Sequence, residues 1–231
     1  MSDDPRIRAL ERRAHVGELS AGIGHEVRNV LTGVRGFAEL AGERADDPAA
    51  ARSLLAVIER ETDRALELLE AFLAVGRAAP QPGAVEVNAL LTTAAQLVRH
   101  SFLLSRVEID LDLDEHAGMV LGDAGALRQV VLNLAFNAQQ AMPAGGAVRL
   151  STRGEGDAIV LRVADDGPGV PLELRDRIFS PFFTTRRDGT GLGLPVSAAI
   201  VAEHGGVLAL ESSERGATFA MRLPRAPGPT P

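Results

Sequence analysis

The opening stretch of the chain carries an uninterrupted helical pattern. Between Pro5 and Arg44 there is no proline, and apolar or small residues recur at steps of three and four. This spacing places them along one side of an α-helix and gives that helix a single packing stripe. The sequence therefore predicts one long amphipathic helix here. The stripe consists of Val16, Leu19, Ile23, Val27, Val30, Val34, Phe37 and Ala41.

A second helical pattern follows a break at Asp46-Asp47-Pro48. Proline is tolerated in the first turn of a helix but not in its interior, so Pro48 fits near a helix start. The two runs predict a helical hairpin. Two helices cannot bury two stripes well, so we expect a dimer that forms a four-helix bundle; alternatively, both stripes pack on the C-terminal half. The second stripe consists of Leu54, Leu55, Ile58, Leu66, Leu69, Phe72 and Leu73.

The pattern changes after a stretch rich in alanine and proline at residues 78–84. We interpret this stretch as a linker and a plausible hinge. Beyond it, predicted strands do not alternate strictly with predicted helices, which favours a mixed or antiparallel sheet in an α/β layer. The strands are predicted at 107–113, 147–153, 158–164, 206–211 and 217–223, and the helices at 127–142, after Asp123, and near 192–203.

The predicted fold class is therefore α+β with two domains. The helical hairpin occupies residues 1–77, the linker 78–84 and the second domain 85–224. The tail at 225–231 is rich in proline and is predicted to be disordered.

Composition excludes several classes of function. The net charge of −7, the absence of a basic tract and an aromatic content of 3% without Trp or Tyr argue against a nucleic-acid partner. No apolar run approaches the roughly 20 residues of a membrane helix, and no signal-peptide pattern is present, so we expect a cytoplasmic protein without membrane insertion. The chain has no cysteine. All 24 basic residues are arginine, which excludes a Walker-type lysine and a Schiff base.

One histidine in the predicted first helix lies next to an acid and one turn from an amide. His25 is followed by the acid Glu26, and Asn29 lies one helical turn later on the same face. The apolar stripe points elsewhere, so His25 is expected to face solvent. A lone histidine of this kind is usually an ordinary surface residue. The motif looks like a phospho-acceptor, and the motifs in the rest of the chain supply the support for that interpretation.

Three further motifs suggest a nucleotide site. Asn133 and Asn137 lie four residues apart among apolar positions; their amide oxygens could ligate Mg²⁺, or the side chains could cap a loop. Asp165-Asp166-Gly167-Pro168-Gly169 follows a predicted strand, where the acid could accept a hydrogen bond from an exocyclic amine, although a tight surface turn would look similar. The motif at 189–194, Gly-Thr-Gly-Leu-Gly-Leu, leads into a helix whose N-terminus could face phosphate. Because Leu194 replaces the third glycine, it is not a dinucleotide fingerprint.

Over roughly residues 15 to 224, the order of these motifs resembles that of the sensor histidine kinases of two-component systems. The second half is similar to the ATP-binding domain shared by gyrase, the Hsp90 chaperones and the mismatch-repair ATPases. The resemblance implies a dimeric helical hairpin followed by an α/β sandwich of the Bergerat type. It also implies autophosphorylation from Mg-ATP and transfer to an aspartate of a response regulator receiver domain, with possible dephosphorylation of that partner.

The resemblance assigns roles in the histidine motif. His25 would be phosphorylated, Glu26 would be the adjacent base, and Asn29 would orient water for dephosphorylation. Val30 stands where the family usually has proline, which predicts a straighter helix and an altered balance between kinase and phosphatase activities. No sensor domain precedes residue 1, so we expect an unknown upstream protein or the N-terminal segment to supply the input.

The resemblance also assigns nucleotide-binding roles. Asn137 would coordinate Mg²⁺ with help from Asn133, and Asp165 would bind the adenine amino group. Phe179, Phe182 and Phe183 would anchor the start of a lid, or could be core, and Arg186 or Arg187 could pair with the γ-phosphate. The remaining positions implied to contact nucleotide are Gly167, Gly169, Gly189, Thr190, Gly191, Leu192, Gly193 and Thr218.

Two alternative functions compete with a histidine kinase. An ATPase of the gyrase and Hsp90 type would place a glutamate where Asn133 stands, because an amide cannot activate water. A dimeric scaffold with a defunct nucleotide site is disfavoured by the intact glycine motifs. The other histidines, His15, His100, His116 and His204, show no metal-site spacing, and His204 before two glycines is expected to mark a helix end.

Overall fold

The computed structural model describes residues 30–44, 46–58, 61–62, 65, 83–186, 189–211 and 216–227. Their contacts divide them into two compact units. One contains the residues up to 65 together with 181–186 and 189–193, and the other contains 83–180, 194–211 and 216–227. In the described part of the chain, no helix is both long and apolar enough to span a membrane.

The first unit contains the described parts of two helices, α1 at 30–43 and α2 at 48–58. Asp47 caps α2, because its Oδ1 accepts hydrogen bonds from the backbone nitrogens of Ala49 at 3.0 Å and Ala50 at 3.1 Å. Pro48 occupies the first turn, where its missing N–H costs nothing. The predicted break between the helices is therefore confirmed.

The predicted stripe of α1 is also visible in its burial. Val30 is buried, and Val34 and Phe37 are partly buried. Leu31 and Leu40 lie on other faces and are exposed. The alternation of covered and exposed positions follows the helical period, as the sequence predicted.

The second unit is built on a five-stranded sheet in the order β2-β4-β5-β7-β6. β2 runs parallel to β4, and every other neighbouring pair is antiparallel, so the sheet is mixed as predicted. A separate antiparallel pair joins β1 to β3. The strands are β1 (Gly83–Glu86), β2 (Val107–Asp112), β3 (Met119–Gly122), β4 (Gly146–Glu155), β5 (Ala158–Asp165), β6 (Val207–Glu211) and β7 (Thr218–Pro224).

Helices cover one face of this sheet. They are α3 (Val87–Leu104), α4 (Ala124–Ala141) and α5 (Gly193–Glu203), and a single 3-10 turn spans Leu172–Leu174. α3 and α4 pack against each other and against the sheet. The side chains on this face of the sheet are buried, and they include Leu150, Leu161 and Met221 on three neighbouring strands. Successive side chains in a strand point to opposite faces, so the side chains of Arg162 and Arg222 lie on the face away from the helices.

The predicted two-domain α+β class is confirmed, and each predicted strand is present within a few residues of its expected bounds. α3 and the short strands β1 and β3 were not predicted. Gly83 and Ala84, the last residues of the predicted linker, are paired in β1. The backbone nitrogens of Arg225 and Ala226, in the predicted tail, donate to Asp157 and Met119. The proposed domain bounds otherwise stay predictions.

Candidate functional site

Asp165 ends β5 and is held by backbone groups. Its Oδ1 accepts hydrogen bonds from the backbone nitrogens of Gly167 at 2.8 Å and Ala217 at 3.2 Å. Its own backbone nitrogen donates to the Ala217 carbonyl at 2.9 Å. Both donors go to Oδ1, so within the described chain Oδ2 keeps its lone pairs for another donor. The carboxylate is thus fixed in orientation and presents one oxygen.

Burial changes the acidity of this carboxyl. Asp165 is buried, with only 9% of its surface exposed to solvent. Removal from water raises the pKa of Asp165 above its ordinary value, and the two backbone hydrogen bonds oppose that shift in part. The charge of the neighbouring Asp166 raises the pKa further. A buried acid whose pKa is shifted in this way is a candidate functional group.

Glycines allow the backbone around Asp165 to pack closely. Gly216 has φ +72°, and a Cβ at this position would collide with the carbonyl oxygen of Asp165. Gly169 has φ +75°, and its Cβ would lie 2.7 Å from the carbonyl oxygen of Gly216. A Cβ at Gly167 would lie 2.7 Å from Oδ1 of Asp165. The predicted roles of Gly167 and Gly169 in shaping this site fit these close approaches.

Thr218 does not lie beside Asp165 as Gly167 and Gly169 do. It pairs with Ala164 in the register between β7 and β5, one position away from the Asp165 row. Because side chains alternate along a strand, Thr218 lies on the sheet face opposite to Asp165. The backbone of Ala217 supports the carboxylate instead. A nucleotide-binding role for Thr218 stays a prediction that this register does not favour.

α4 carries both asparagines. Asp123 caps the helix by accepting from the backbone nitrogens of Gly125 at 2.7 Å and Ala126 at 3.0 Å, so α4 begins directly after Asp123, as the sequence predicted. Asn133 and Asn137 lie one turn apart, and each is partly buried. The Nδ2 of Asn133 donates to the hydroxyl of Ser197 on α5 at 2.8 Å. Amide oxygens held on one rigid helix are suitable donors for a magnesium ion.

A second hydrogen bond connects the same two helices near their ends. The Nε2 of His204 accepts from the backbone nitrogen of Asp123 at 3.0 Å, and its Nδ1 lies 2.7 Å from the Ile200 carbonyl. Gly205, with φ +72°, follows His204, and the backbone nitrogen of Gly206 donates to the Val201 carbonyl at 2.9 Å. This pattern is a Schellman motif, which confirms the prediction that His204 marks a helix end.

The glycine motif is shaped by one tight backbone contact. The backbone nitrogen of Phe182 donates to the Gly191 carbonyl at 3.0 Å. A Cβ at Gly191, whose φ is +68°, would lie 2.7 Å from the backbone nitrogen of Phe183. Phe182 itself has φ +63°, a conformation that costs a non-glycine residue energy. The segment between these positions is therefore closed into a loop at its two ends.

Within this loop, Thr184 organises the turn. Its Oγ1 accepts from the backbone nitrogen of Arg186 at 3.1 Å, and a Cβ at Gly189 would collide with the same hydroxyl. Thr190 and Leu192 are buried, and Gly193 begins α5. Arg186 is exposed. Arg187 lies outside the described residues.

Of the three predicted lid aromatics, Phe179 belongs to the second unit. It contacts Phe219 of β7 edge to face, with ring centroids 6.4 Å apart. Phe183 is partly buried and Phe182 is exposed. The histidine motif, with His25, Glu26 and Asn29, lies outside the described residues. In the described part of the chain, no cluster of His, Asp or Glu could hold a metal ion by itself.

Two family models match the chain in the expected order. Residues 15–81 match the His Kinase A (phospho-acceptor) domain, and residues 122–227 match the histidine kinase-, DNA gyrase B-, and HSP90-like ATPase. The solved catalytic domain of histidine kinase ThkA is 30% identical to this chain, which covers 96% of that domain; the match spans 63% of this chain with a TM-score of 0.59. The chain belongs to the sensor histidine kinase family.

Longer matches agree with this family. The chain is 36% identical over 225 residues to the signal transduction histidine-protein kinase AtoS of Escherichia coli (strain K12). The match covers 96% of the chain and 37% of AtoS, so the chain spans little more than a third of that relative. ThkA in complex with response regulator protein TrrA gives a TM-score of 0.73 at 26% identity, with 97% of this chain and 68% of that chain covered.

Two residues of the site were not predicted from the sequence. Ala217 acts through its backbone, which composition and periodicity do not reveal; its place after Gly216 was the available signal. Ser197 interrupts the apolar face of α5 and is only 2% exposed. A polar residue at a buried helical position indicates a hydrogen-bond partner.

Proposed function

We propose that this histidine kinase phosphorylates its own His25 from ATP and passes the phosphoryl group to an aspartate of a response regulator. A ring nitrogen of His25 attacks the γ-phosphorus in line, the bond from that phosphorus to the β-γ bridging oxygen breaks, and ADP leaves. Glu26 accepts the ring proton. A carboxylate oxygen of the aspartate then attacks the phosphorus of the phosphohistidine, the N–P bond breaks, and Glu26 returns the proton, so that His25 becomes a neutral imidazole again.

The observation that carries the proposal is the geometry of Asp165. Its fixed carboxylate offers Oδ2 as an acceptor, which suits the amino group of adenine, and its burial strengthens that hydrogen bond. Gly167 and Gly169 let the base approach the backbone. The glycine motif, including Gly189, Gly191 and Gly193, supplies backbone nitrogens for the phosphates, and Arg186 or Arg187 contributes positive charge at the γ-phosphate.

Asn133 and Asn137 are the proposed magnesium ligands. They present neutral amide oxygens on α4, and the phosphates of ATP would complete the coordination. A Mg²⁺ ion held there would offset the charge on the phosphates during transfer. The chain's own contribution is to fix the two amides through the rigid, capped helix α4.

The proposed partners are a second copy of the chain and a response regulator receiver domain. The first is supported by the match to the phospho-acceptor domain and by exposed leucines on α1 and α2, and the second by the ThkA complex with TrrA. We also propose that Asn29 positions water for dephosphorylating that partner. Because the reaction consumes ATP, we assign this part of the chain to the cytoplasm, with an unknown protein supplying the input.

Incubation with γ-labelled ATP and Mg²⁺ tests the proposal. We expect acid-labile label on the unmodified chain and none on His25→Gln or Asn137→Ala. Label that persists on His25→Gln would exclude His25 as the acceptor. Binding of ATP without any label would instead favour a scaffold, and release of phosphate without label would favour an ATPase.

A further inference from the structure

The side chains of Asn133 and Ser197 form a hydrogen bond between α4 and α5. The Nδ2 of Asn133 donates to the Oγ of Ser197 at 2.8 Å. Ser197 is 2% exposed, whereas Asn133 is only partly buried. The serine therefore sits beneath the asparagine, at the base of the proposed magnesium site.

The direction of this hydrogen bond determines what Asn133 offers on its open side. A carboxamide carries an oxygen acceptor and an NH₂ donor at the two tips of one plane. Since the NH₂ is engaged by Ser197, the Oδ1 projects away from it, and no described donor lies on that oxygen. Only the oxygen can ligate a cation; the NH₂ would repel it.

We propose that Ser197 is a positioning residue that orients the Asn133 carboxamide so that its oxygen faces the magnesium ion of Mg-ATP. This inference rests on the proposed nucleotide site and adds a residue of α5 to it. Ser197 touches neither nucleotide nor metal and acts through Asn133. Its role is to select one of the two orientations of the amide, which are nearly equal in shape.

The position of Ser197 in the chain connects the proposed magnesium site to the glycine motif. α5 starts at Gly193, directly after the glycine motif, and Ser197 lies one turn into the helix. A shift of α5 along its axis would break a 2.8 Å hydrogen bond and release the amide to rotate. The metal ligand on α4 is thereby coupled to the helix that the glycine motif leads into.

The opposite orientation makes a different prediction. If the serine hydroxyl donated to the amide oxygen, the NH₂ of Asn133 would face the nucleotide and would hydrogen bond to phosphate. Loss of the serine would then weaken nucleotide binding in the absence of metal. The proposed orientation instead predicts that the loss appears only when Mg²⁺ is present.

Calorimetric titration of the full chain with ADP, in Mg²⁺ and separately in EDTA, distinguishes the two orientations of the Asn133 amide. For Ser197→Ala we expect the affinity for ADP in Mg²⁺ to fall roughly three- to tenfold, which corresponds to the free energy of one hydrogen bond. In EDTA we expect the affinity for ADP to change by less than about twofold. Ser197→Thr keeps the hydroxyl and is expected to restore most of the affinity in Mg²⁺. In an Asn133→Ala background, Ser197→Ala should add no further loss.

Ser101→Ala provides the matched control. Its hydroxyl accepts from the Nε2 of Gln139, also on α4, at 3.1 Å, but it lies on α3. We expect this variant to bind ADP like the unmodified chain in both conditions. A thermal unfolding midpoint for each variant checks that the fold is retained.

Failure of this inference is separable from failure of the proposed function. If the unmodified chain binds ADP more tightly with Mg²⁺ and Ser197→Ala behaves identically, the positioning role is wrong while the site stands. A loss in EDTA equal to that in Mg²⁺ also overturns the role. If the unmodified chain binds no nucleotide, the proposed function itself falls.

Discussion

At the scale of single residues, the site depends on how side-chain oxygens and nitrogens are oriented. Oδ1 of Asp165 accepts from two backbone donors, and none of the described residues donates to Oδ2, which is therefore the available oxygen. The sequence motif predicted Asp165 as the adenine-binding acid, but not why only one of its oxygens is open. That depends on Ala217, 52 residues later in the chain.

Asp165→Asn should weaken ATP binding roughly ten- to hundredfold, on the scale of a hydrogen bond to a charged group. The amide oxygen would satisfy the two backbone donors, which forces its NH₂ toward the adenine amino group, donor against donor. Asp166→Asn, at an exposed neighbouring position, is the matched control. Titration calorimetry measures both affinities, and equal values would remove Asp165 from the site.

ATP affinity should also fall on acidification. Because the pKa of Asp165 is raised, its carboxyl gains a proton at a higher pH than an exposed aspartate does. Oδ1 is engaged by two donors, so the proton goes to Oδ2 and turns that acceptor into a donor. Affinity measured against pH should drop as pH falls through the raised pKa, and the drop should be absent in Asp165→Asn.

The same raised pKa changes folding stability with pH in the opposite direction to ATP affinity. The folded chain binds this proton more tightly than the unfolded chain, so its contribution to stability is greatest at low pH. That contribution is lost as pH rises from the ordinary value of 3.8 through the raised pKa. Asp165→Asn should flatten this part of the stability profile, measured by denaturant unfolding.

At the scale of elements, glycines and caps set where strands and helices meet. Asp47 and Asp123 each cap a helix, and both starts were predictable because capping is local. The two strands that were missed, β1 and β3, are each four residues long, the shortest length over which alternation can be recognised. α3 was missed although it spans 18 residues and begins directly after β1.

Gly216→Ala should lower the free energy of unfolding by about 2–4 kcal/mol, because its Cβ would collide with the Asp165 carbonyl at a φ of +72°. Gly156→Ala separates the two causes, since Gly156 has φ +64° but a Cβ added there would meet no atom within 4 Å. This control should cost about 1 kcal/mol, from φ alone. Equal losses in denaturant unfolding would contradict a steric role for Gly216.

At the scale of the whole molecule, the hairpin presents apolar side chains that its own described residues leave uncovered. Leu31 is 53% exposed, Leu40 43% and Leu55 52%. Exposed leucines on two helices are typical of a surface that a second copy covers. The proposed nucleotide site and the proposed acceptor His25 belong to different predicted domains, so phosphorylation would require these domains to meet.

Leu55→Arg should shift the chain from dimer toward monomer in sedimentation equilibrium, because the dimer would bury an unpaired charge. We expect at least a tenfold weaker dimer, with ADP affinity retained. Leu104→Arg, at a leucine 73% exposed on α3, is the control and should stay dimeric. A monomeric unmodified chain, or identical behaviour of the two variants, would refute the predicted bundle.

The sequence by itself determined the helical stripes, the starts of the helices, the class of sheet and the order of the motifs, because each is indicated by short stretches of chain and by the order in which they follow one another. Only the tertiary structure decided which groups complete each other. It brought Ala217 to Asp165, Ser197 to Asn133 and His204 to Asp123. Such pairs depend on strand register and helix packing, and a periodicity of two or 3.6 residues carries no information about partners dozens of residues away.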